Sequence, residues 1–241
     1  MKKPLTRRAS VLARKGGPVG ALAKLSAVAD DSGVVFDIGV NRGTIARHLI
    51  RMFPQCPCYL FEPLPQQAAF AADRFSEFDN VRVIQEALSN EVGSAEFFVG
   101  KSVGTSSLLR MNDESLAAHP EAEVDHAISV RLNTVDAFCA DNGISKISCM
   151  KIDAQGSELN IFRGASGMLG SQSVDMIMFE WFAVPHYADS PLILDLWNEL
   201  DSHGYSMFDI FPGRYFRNGQ RRFGDAVFIS DRFRKDRLPH L

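Results

Sequence analysis

The chain has 241 residues, 46% of them hydrophobic and 23% charged, with a formal net charge of -3. So many apolar side chains can fill a sizeable core, and the balance lacks the strong basic excess of a dedicated nucleic-acid binder. No unbroken apolar run of about 18 residues occurs, which excludes a membrane-spanning helix.

Residues 1–17 carry Lys2, Lys3, Arg7, Arg8, Arg14 and Lys15 and no acid. They read as a solvated basic arm, and the apolar core that a secretory leader needs does not follow them. Residues 1–30 are therefore expected to form a basic arm and helix. Residues 31–241 are expected to form a single domain, since no linker rich in Pro, Gly or Ser divides them. The four cysteines, Cys56, Cys58, Cys139 and Cys149, match neither a zinc pattern nor a CxxC pair. They read as buried or edge thiols of a reducing compartment, with the cytoplasm as default.

From there the chain alternates short apolar runs with amphipathic stretches. Residues 33–38 read as a buried strand, and 43–53 as a helix with Ile45, His48, Leu49 and Met52 at helical spacing, stopped by Pro54. His48 is expected to be a satisfied core residue. Residues 58–62 form a second strand, 64–78 a helix and 81–84 a third strand. Residues 94–99 and 127–132 alternate with a period of two, as an added antiparallel pair does, and the polar stretch 100–126 between them has loop character. Thr134 caps a helix that Gly143 ends. Residues 147–152 form a fourth strand ending at Asp153, 159–169 a helix, and 174–179 a fifth strand ending at Glu180. Residues 190–202 form a helix with Leu192, Leu196 and Leu200 on one face. Residues 205–211 and 226–230 are the last strands. Strands alternating with helices predict a mostly parallel sheet covered on both faces, with ligands outside the C-terminal strand edges.

The strongest local signal is Val35-Phe36-Asp37-Ile38-Gly39-Val40-Asn41-Arg42-Gly43, a strand that runs through a glycine turn into a helix. Gly39 permits a sharp turn and close approach of a ligand, and Gly43 permits the helix to start close against the strand. The spacing is G-x-x-x-G, not the G-x-G-x-x-G of dinucleotide sites. An Asp two residues before the first glycine repels a pyrophosphate but attracts a cation such as the amino acid end of S-adenosylmethionine. Glu62, 25 residues beyond Asp37, ends the second strand, where an acid accepts hydrogen bonds from ribose hydroxyls. Asn41 and Pro63 flank these two positions. Glu86 and Ala87 follow the third strand, where an adenine ring lies.

The segment 36–43 resembles the D-I-G-A-N-x-G motif of FkbM-type methyltransferases. The segment Lys151-Ile152-Asp153-Ala154-Gln155-Gly156-Ser157-Glu158 is similar to that family's K-x-D-x-E-G-x-E signature. Phe162-Arg163-Gly164-Ala165, Leu132-Asn133-Thr134-Val135-Asp136 and Glu180 continue the resemblance, which covers roughly residues 33–230. It implies a Rossmann-like α/β fold with a seven-stranded, mostly parallel sheet, helices on both faces and an antiparallel last strand. It also implies S-adenosylmethionine as cofactor and methyl transfer to a hydroxyl of a sugar or secondary metabolite. Val40 replaces the family Ala. Gln155 replaces a Glu, which removes one negative charge beside the site.

Methyl transfer requires an aligned acceptor oxygen and a group that takes its proton. Asp153 is the candidate on the methionine and acceptor side, with helix capping as its bland alternative. Glu158 reads as structural, in a helix first turn. Glu180 and His186 lie where acceptors enter such folds, and His186 has a side chain suited to a general base. Thr105, Ser106 and Ser107 are candidate acceptor contacts. Asp153 and Glu180 lack a third ligand, so no metal is assigned. Two other readings stay open. A nucleotide-sugar or NAD enzyme is opposed by Asp37 and the missing third glycine, and a catalytically silent binding module is kept alive by Gln155.

Overall fold

The computed structural model describes residues 16–118, 120–213, 215 and 219–238. The six cations of the basic arm lie outside the described residues. Ten strands and nine helices follow in the described chain. The strands are β1 (Val34–Ile38), β2 (Cys58–Phe61), β3 (Val81–Ile84), β4 (Ala87–Leu88), β5 (Gly93–Gly100), β6 (Val124–Asn133), β7 (Ile147–Ile152), β8 (Val174–Phe182), β9 (Tyr205–Pro212) and β10 (Phe223–Ser230). The helices are α1 (Gly17–Ser26), α2 (Thr44–Met52), α3 (Pro65–Arg74), α4 (Asp113–Ala118), α5 (Val135–Asp141), α6 (Glu158–Arg163), α7 (Ser166–Gly170), α8 (Ile193–Ser202) and α9 (Asp231–Arg237).

The main sheet has seven strands in the order β3-β2-β1-β7-β8-β10-β9, and β10 runs antiparallel to both of its neighbours. This is the expected Rossmann-like methyltransferase architecture. Successive strand residues feed opposite faces. Val35, Cys149, Met176 and Val227 enter a core shared with α1, α2 and α9, while Phe36, Met150, Ile177 and Phe228 enter one shared with α5 to α8. All four cysteines are buried free thiols. The added pair is present: β5 and β6 run antiparallel, and β4 joins β6 in a small second sheet. Its apolar face is a third cluster containing Leu64, Ala87, Phe97, Val130 and Leu132. No described helix is long and apolar enough to cross a membrane.

Several elements differ from the sequence expectation. The stretch 100–126 is not plain loop; it holds α4 and two 3₁₀ turns. These are too short to show a helical period. The helix expected over 159–169 is split at Gly164, where a Cβ would lie 1.9 Å from the Ser89 carbonyl oxygen. β8 continues past Glu180 to Phe182 because β10 pairs with it as far as Phe223. The unexpected α9 has only Phe233 buried, so it shows no apolar stripe; Ser230 caps it by accepting from the Phe233 N–H at 3.1 Å. Thr134 does cap α5, accepting from Ala137 at 3.0 Å, and Gly143 follows in the left-handed region.

One aromatic cluster fixes the strand tips that carry the site. Phe138 of α5 meets Phe61, Tyr59 and Phe36 edge-on, at 4.9, 5.3 and 5.7 Å between ring centroids. Such contacts add to the transfer of the ring from water. Phe138→Ala is expected to lower the unfolding free energy by about 3 kcal/mol, measured as the midpoint shift in a urea titration at constant slope.

Candidate active site

β1, β2, β3 and β7 end side by side, and their tips open into a cleft of about 680 Å³ walled on one side by Phe97 of β5 and Leu108. The turn after β1 is built by close backbone contact. Gly39 has φ +75°, and a Cβ there would lie 1.9 Å from the Asp153 carbonyl oxygen. No side chain can stand at this point, so the β1 and β7 tips pack backbone to backbone, joined by the Asp153 N–H donating to the Ile38 carbonyl at 3.0 Å. Asn41 also takes a left-handed φ of 49°. That turns its N–H toward Glu62 Oε2 at 2.9 Å, while the Leu64 N–H donates to Glu62 Oε1 at 3.1 Å. Burial raises the Glu62 carboxyl, and the two backbone donors oppose that rise. Each of its oxygens keeps acceptor capacity for the cleft.

Asp37 does not line the cleft, against the expectation that it meets a cofactor cation directly. It is fully buried beneath the floor, and its Oδ1 lies 3.0 Å from Lys151 Nζ. Lys151 also donates to the Gly39 carbonyl at 2.9 Å and reaches Asp153 Oδ2 at 3.8 Å. Lys151 comes from β7, the strand beside β1. Burial pushes the Asp37 carboxyl up, while the Lys151 charge pulls it down. Burial opposes the Lys151 charge, yet Asp37 and Asp153 hold its pKa above the ordinary value.

Beyond β7 the chain makes a tight turn in which Gln155 (φ 51°) and Gly156 (φ 99°) are both left-handed. Glu158, wholly buried, holds this turn by accepting from the Ala154 N–H at 2.9 Å and the Gly156 N–H at 3.0 Å. Its structural reading stands. Burial pushes its pKa up to about 7 against those two bonds. The Gln155 amide then projects between two carboxylates, donating to Asp153 Oδ1 at 2.7 Å and Glu180 Oε2 at 3.0 Å. Its own oxygen accepts from the Tyr187 hydroxyl at 2.7 Å. Burial raises Glu180, and the carboxylates of Asp153, Glu158 and Asp225 raise it further. Burial and Asp153 push Asp225 up to about 6.

The cleft wall thus includes Gly39, Asn41, Glu62, Pro63, Glu86, Ala87 and Asp153 of the expected residues. Glu86 already accepts from Asn133 at 3.0 Å and pairs with Arg131 at 3.0 Å. Gly43 lies off the wall, where a Cβ would strike the Phe75 ring. Glu180 reaches the wall only through Gln155. His186 is buried away from it: Nδ1 lies 2.9 Å from the Val184 carbonyl and Nε2 lies 3.4 Å from Arg222 Nε. With both nitrogens engaged, His186 is not placed as a base. Ser106 lines the cleft, but Ser107 is turned to the Gln155 carbonyl and Thr105 to that of Ser102. His48 is half-buried on α2. The sequence reading missed Lys151 and Tyr187 as working residues. Lys151 carried a signal, an isolated cation inside an apolar strand; Tyr187 carried none.

Among the described residues the cleft wall carries Glu62, Glu86 and Asp153 and no Lys, Arg or His. That acidic donor set, with a glycine turn that no Cβ could occupy, fits S-adenosylmethionine, a cationic ligand with a diol and an amino-purine.

The model of the methyltransferase FkbM domain matches residues 37–207. The 2-O-methyltransferase NoeI of Sinorhizobium fredii is 28% identical over 142 residues, which are 56% of this chain and 58% of that protein. The crystal structure of methyltransferase FkbM from Methylobacillus flagellatus superposes with a TM-score of 0.52 at 13% identity, covering 92% of this chain and 57% of that one. This chain thus spans less than two thirds of either relative.

The raised carboxyls have a consequence for stability. Glu158 rises from an ordinary 4.5 to about 7, so the folded state binds its proton more tightly than the unfolded chain does. Its stabilising contribution is complete below about pH 4.5 and is lost as pH climbs through about 7; Asp225 adds in the same direction. Urea titrations across this window should show the unfolding free energy falling with pH, and Glu158→Gln should flatten that fall by on the order of 3 kcal/mol.

Proposed function

The chain belongs to the methyltransferase FkbM domain family, and from that membership we propose that it methylates a hydroxyl group of a small sugar or secondary metabolite. Family membership supports the coarse activity, methyl transfer from S-adenosylmethionine. The observation that carries the finer reading is Asp153. Its side chain is 42% exposed at the cleft wall, where Oδ1 accepts from Gln155 at 2.7 Å and Oδ2 has only a longer contact, 3.8 Å from Lys151 Nζ.

When bound, S-adenosylmethionine supplies an electrophilic methyl group on a cationic sulfur. Glu62 would accept hydrogen bonds from the ribose hydroxyls with the lone pairs that Asn41 and Leu64 leave open. Glu86, Ala87, Phe97 and Leu108 would hold the adenine end. The Gly39 turn and Asp153 would border the amino acid end. Asp37 acts from below: by fixing Lys151 it fixes the Gly39 carbonyl, and with it the shape of the turn.

An alcohol oxygen must lose its proton as it acquires a methyl group, and Asp153 is placed to receive that proton and release it to solvent. The absence of cations from the described wall favours an uncharged acceptor over a phosphorylated one. The name of the Sinorhizobium relative, a 2-O-methyltransferase, supports oxygen as the acceptor atom. A binding module without turnover is the second reading, favoured by Gln155 in place of an acid.

Incubation with methyl-labelled S-adenosylmethionine and a panel of neutral sugars and hydroxylated metabolites should transfer label to oxygen. Asp153→Asn should lower kcat by about 100-fold or more while S-adenosylhomocysteine still binds, weakened by no more than about tenfold, or about 1.4 kcal/mol. Cofactor binding without transfer to any panel member would favour the silent module.

A further inference from the structure

We propose that Gln155 is a positioning residue: its amide, oriented by the Tyr187 hydroxyl, clamps Asp153 against Glu180 and so fixes the direction of the Asp153 carboxylate at the cleft wall. The inference rests on the reading of Asp153 as the proton acceptor and extends it to the residues that set its direction.

The geometry leaves little freedom. The amide has two N–H donors, and each meets a different carboxylate, at 2.7 Å on Asp153 and 3.0 Å on Glu180. A flipped amide would set its oxygen against both carboxylates. The Tyr187 hydroxyl supports the observed orientation by donating to the amide oxygen at 2.7 Å. Tyr187 is itself buried, and the Gly156 Cβ position lies 3.2 Å from its ring. Below the amide, the backbone carbonyl of Gln155 accepts from Ser107 Oγ at 2.8 Å, which ties the turn to the 107–109 segment. The left-handed φ of 51° at a non-glycine residue is a local cost maintained by these contacts.

Two carboxylates that approach one another repel, and a proton, a cation or a shared donor must lie between them. In this chain the shared donor is neutral. It draws Asp153 and Glu180 together without adding charge, so Asp153 Oδ1 is bound while Oδ2 keeps only the longer contact with Lys151. A carboxylate at 155 would supply no donors and would add a third negative charge. The other charged groups about Asp153 are Lys151, 3.8 Å from Oδ2, and the carboxylates of Asp37, Glu158, Glu180 and Asp225.

The test compares Gln155→Met, which removes both donors at nearly constant size, Gln155→Glu, which also adds charge, and Tyr187→Phe, which only frees the amide. The readouts are the Asp153 carboxyl titration, followed by NMR on protein labelled at aspartate carboxyl carbons and assigned with Asp153→Asn, and the pH profile of kcat/KM. Expected are a titration shifted to higher pH by about one unit in Gln155→Glu, a smaller shift of the same sign in Gln155→Met, and the smallest in Tyr187→Phe. The acid limb of kcat/KM should move in parallel. kcat should fall about tenfold in Gln155→Met, one lost charge-assisted bond, with KM for S-adenosylmethionine nearly constant. An Asp153 titration unmoved in Gln155→Met and Tyr187→Phe overturns the clamp, whatever the acceptor proves to be. A moved titration with an unmoved acid limb instead overturns Asp153 as proton acceptor.

Discussion

A single buried ammonium group organises the ligand end of this sheet. Lys151 enters from β7 and touches the carboxylate of Asp37, the carbonyl of Gly39 and, at longer range, Asp153. A lysine sunk in a strand among apolar neighbours is costly unless its charge and its donors are all answered. Here the closest answers are Asp37 of β1 and the carbonyl of Gly39 in the turn that follows it. The need to satisfy one cation therefore fixes the relative height of two strands and the shape of the loop between β1 and α2.

The acidic residues of the site fall into two groups. Glu62, Glu86 and Asp153 face the cleft and give it a negative wall. Asp37 and Glu158 face inward and hold backbone: Asp37 through Lys151, and Glu158 through the Ala154 and Gly156 N–H groups. Glu180 stands between, screened from the cleft by Gln155. Both non-glycine residues that line the cleft in left-handed backbone, Asn41 and Gln155, owe that conformation to contacts with these acids. The strain thus lies in the cleft wall, which is where preorganisation is useful.

Much of this was legible in the sequence. The strands announce themselves as short apolar runs, because a parallel sheet covered on both faces admits few polar residues. Gly39 and Glu62 were readable from type and spacing, since a tight turn and a strand-end acid leave few alternatives. The role of Asp37 was not. Its partner Lys151 lies far along the chain, and a lone acid before a glycine turn looks the same whether it points up to a ligand or down to a lysine. His186 was misplaced for a similar reason: its position after β8 was right, but the bonds of its two nitrogens to Val184 and Arg222 are tertiary facts. The contact of Tyr187 with Gln155 spans two loops that have no periodic signal.

The most direct measurement is a crystal structure with S-adenosylhomocysteine bound. The expected result has the ribose hydroxyls on Glu62, the adenine beside Glu86 and Ala87, and the Asp37 carboxylate still on Lys151 without touching the ligand. An Asp37 side chain turned up to the ligand's amino group, or a ligand seated away from the Gly39 turn, would contradict a cleft shaped from beneath by that ion pair.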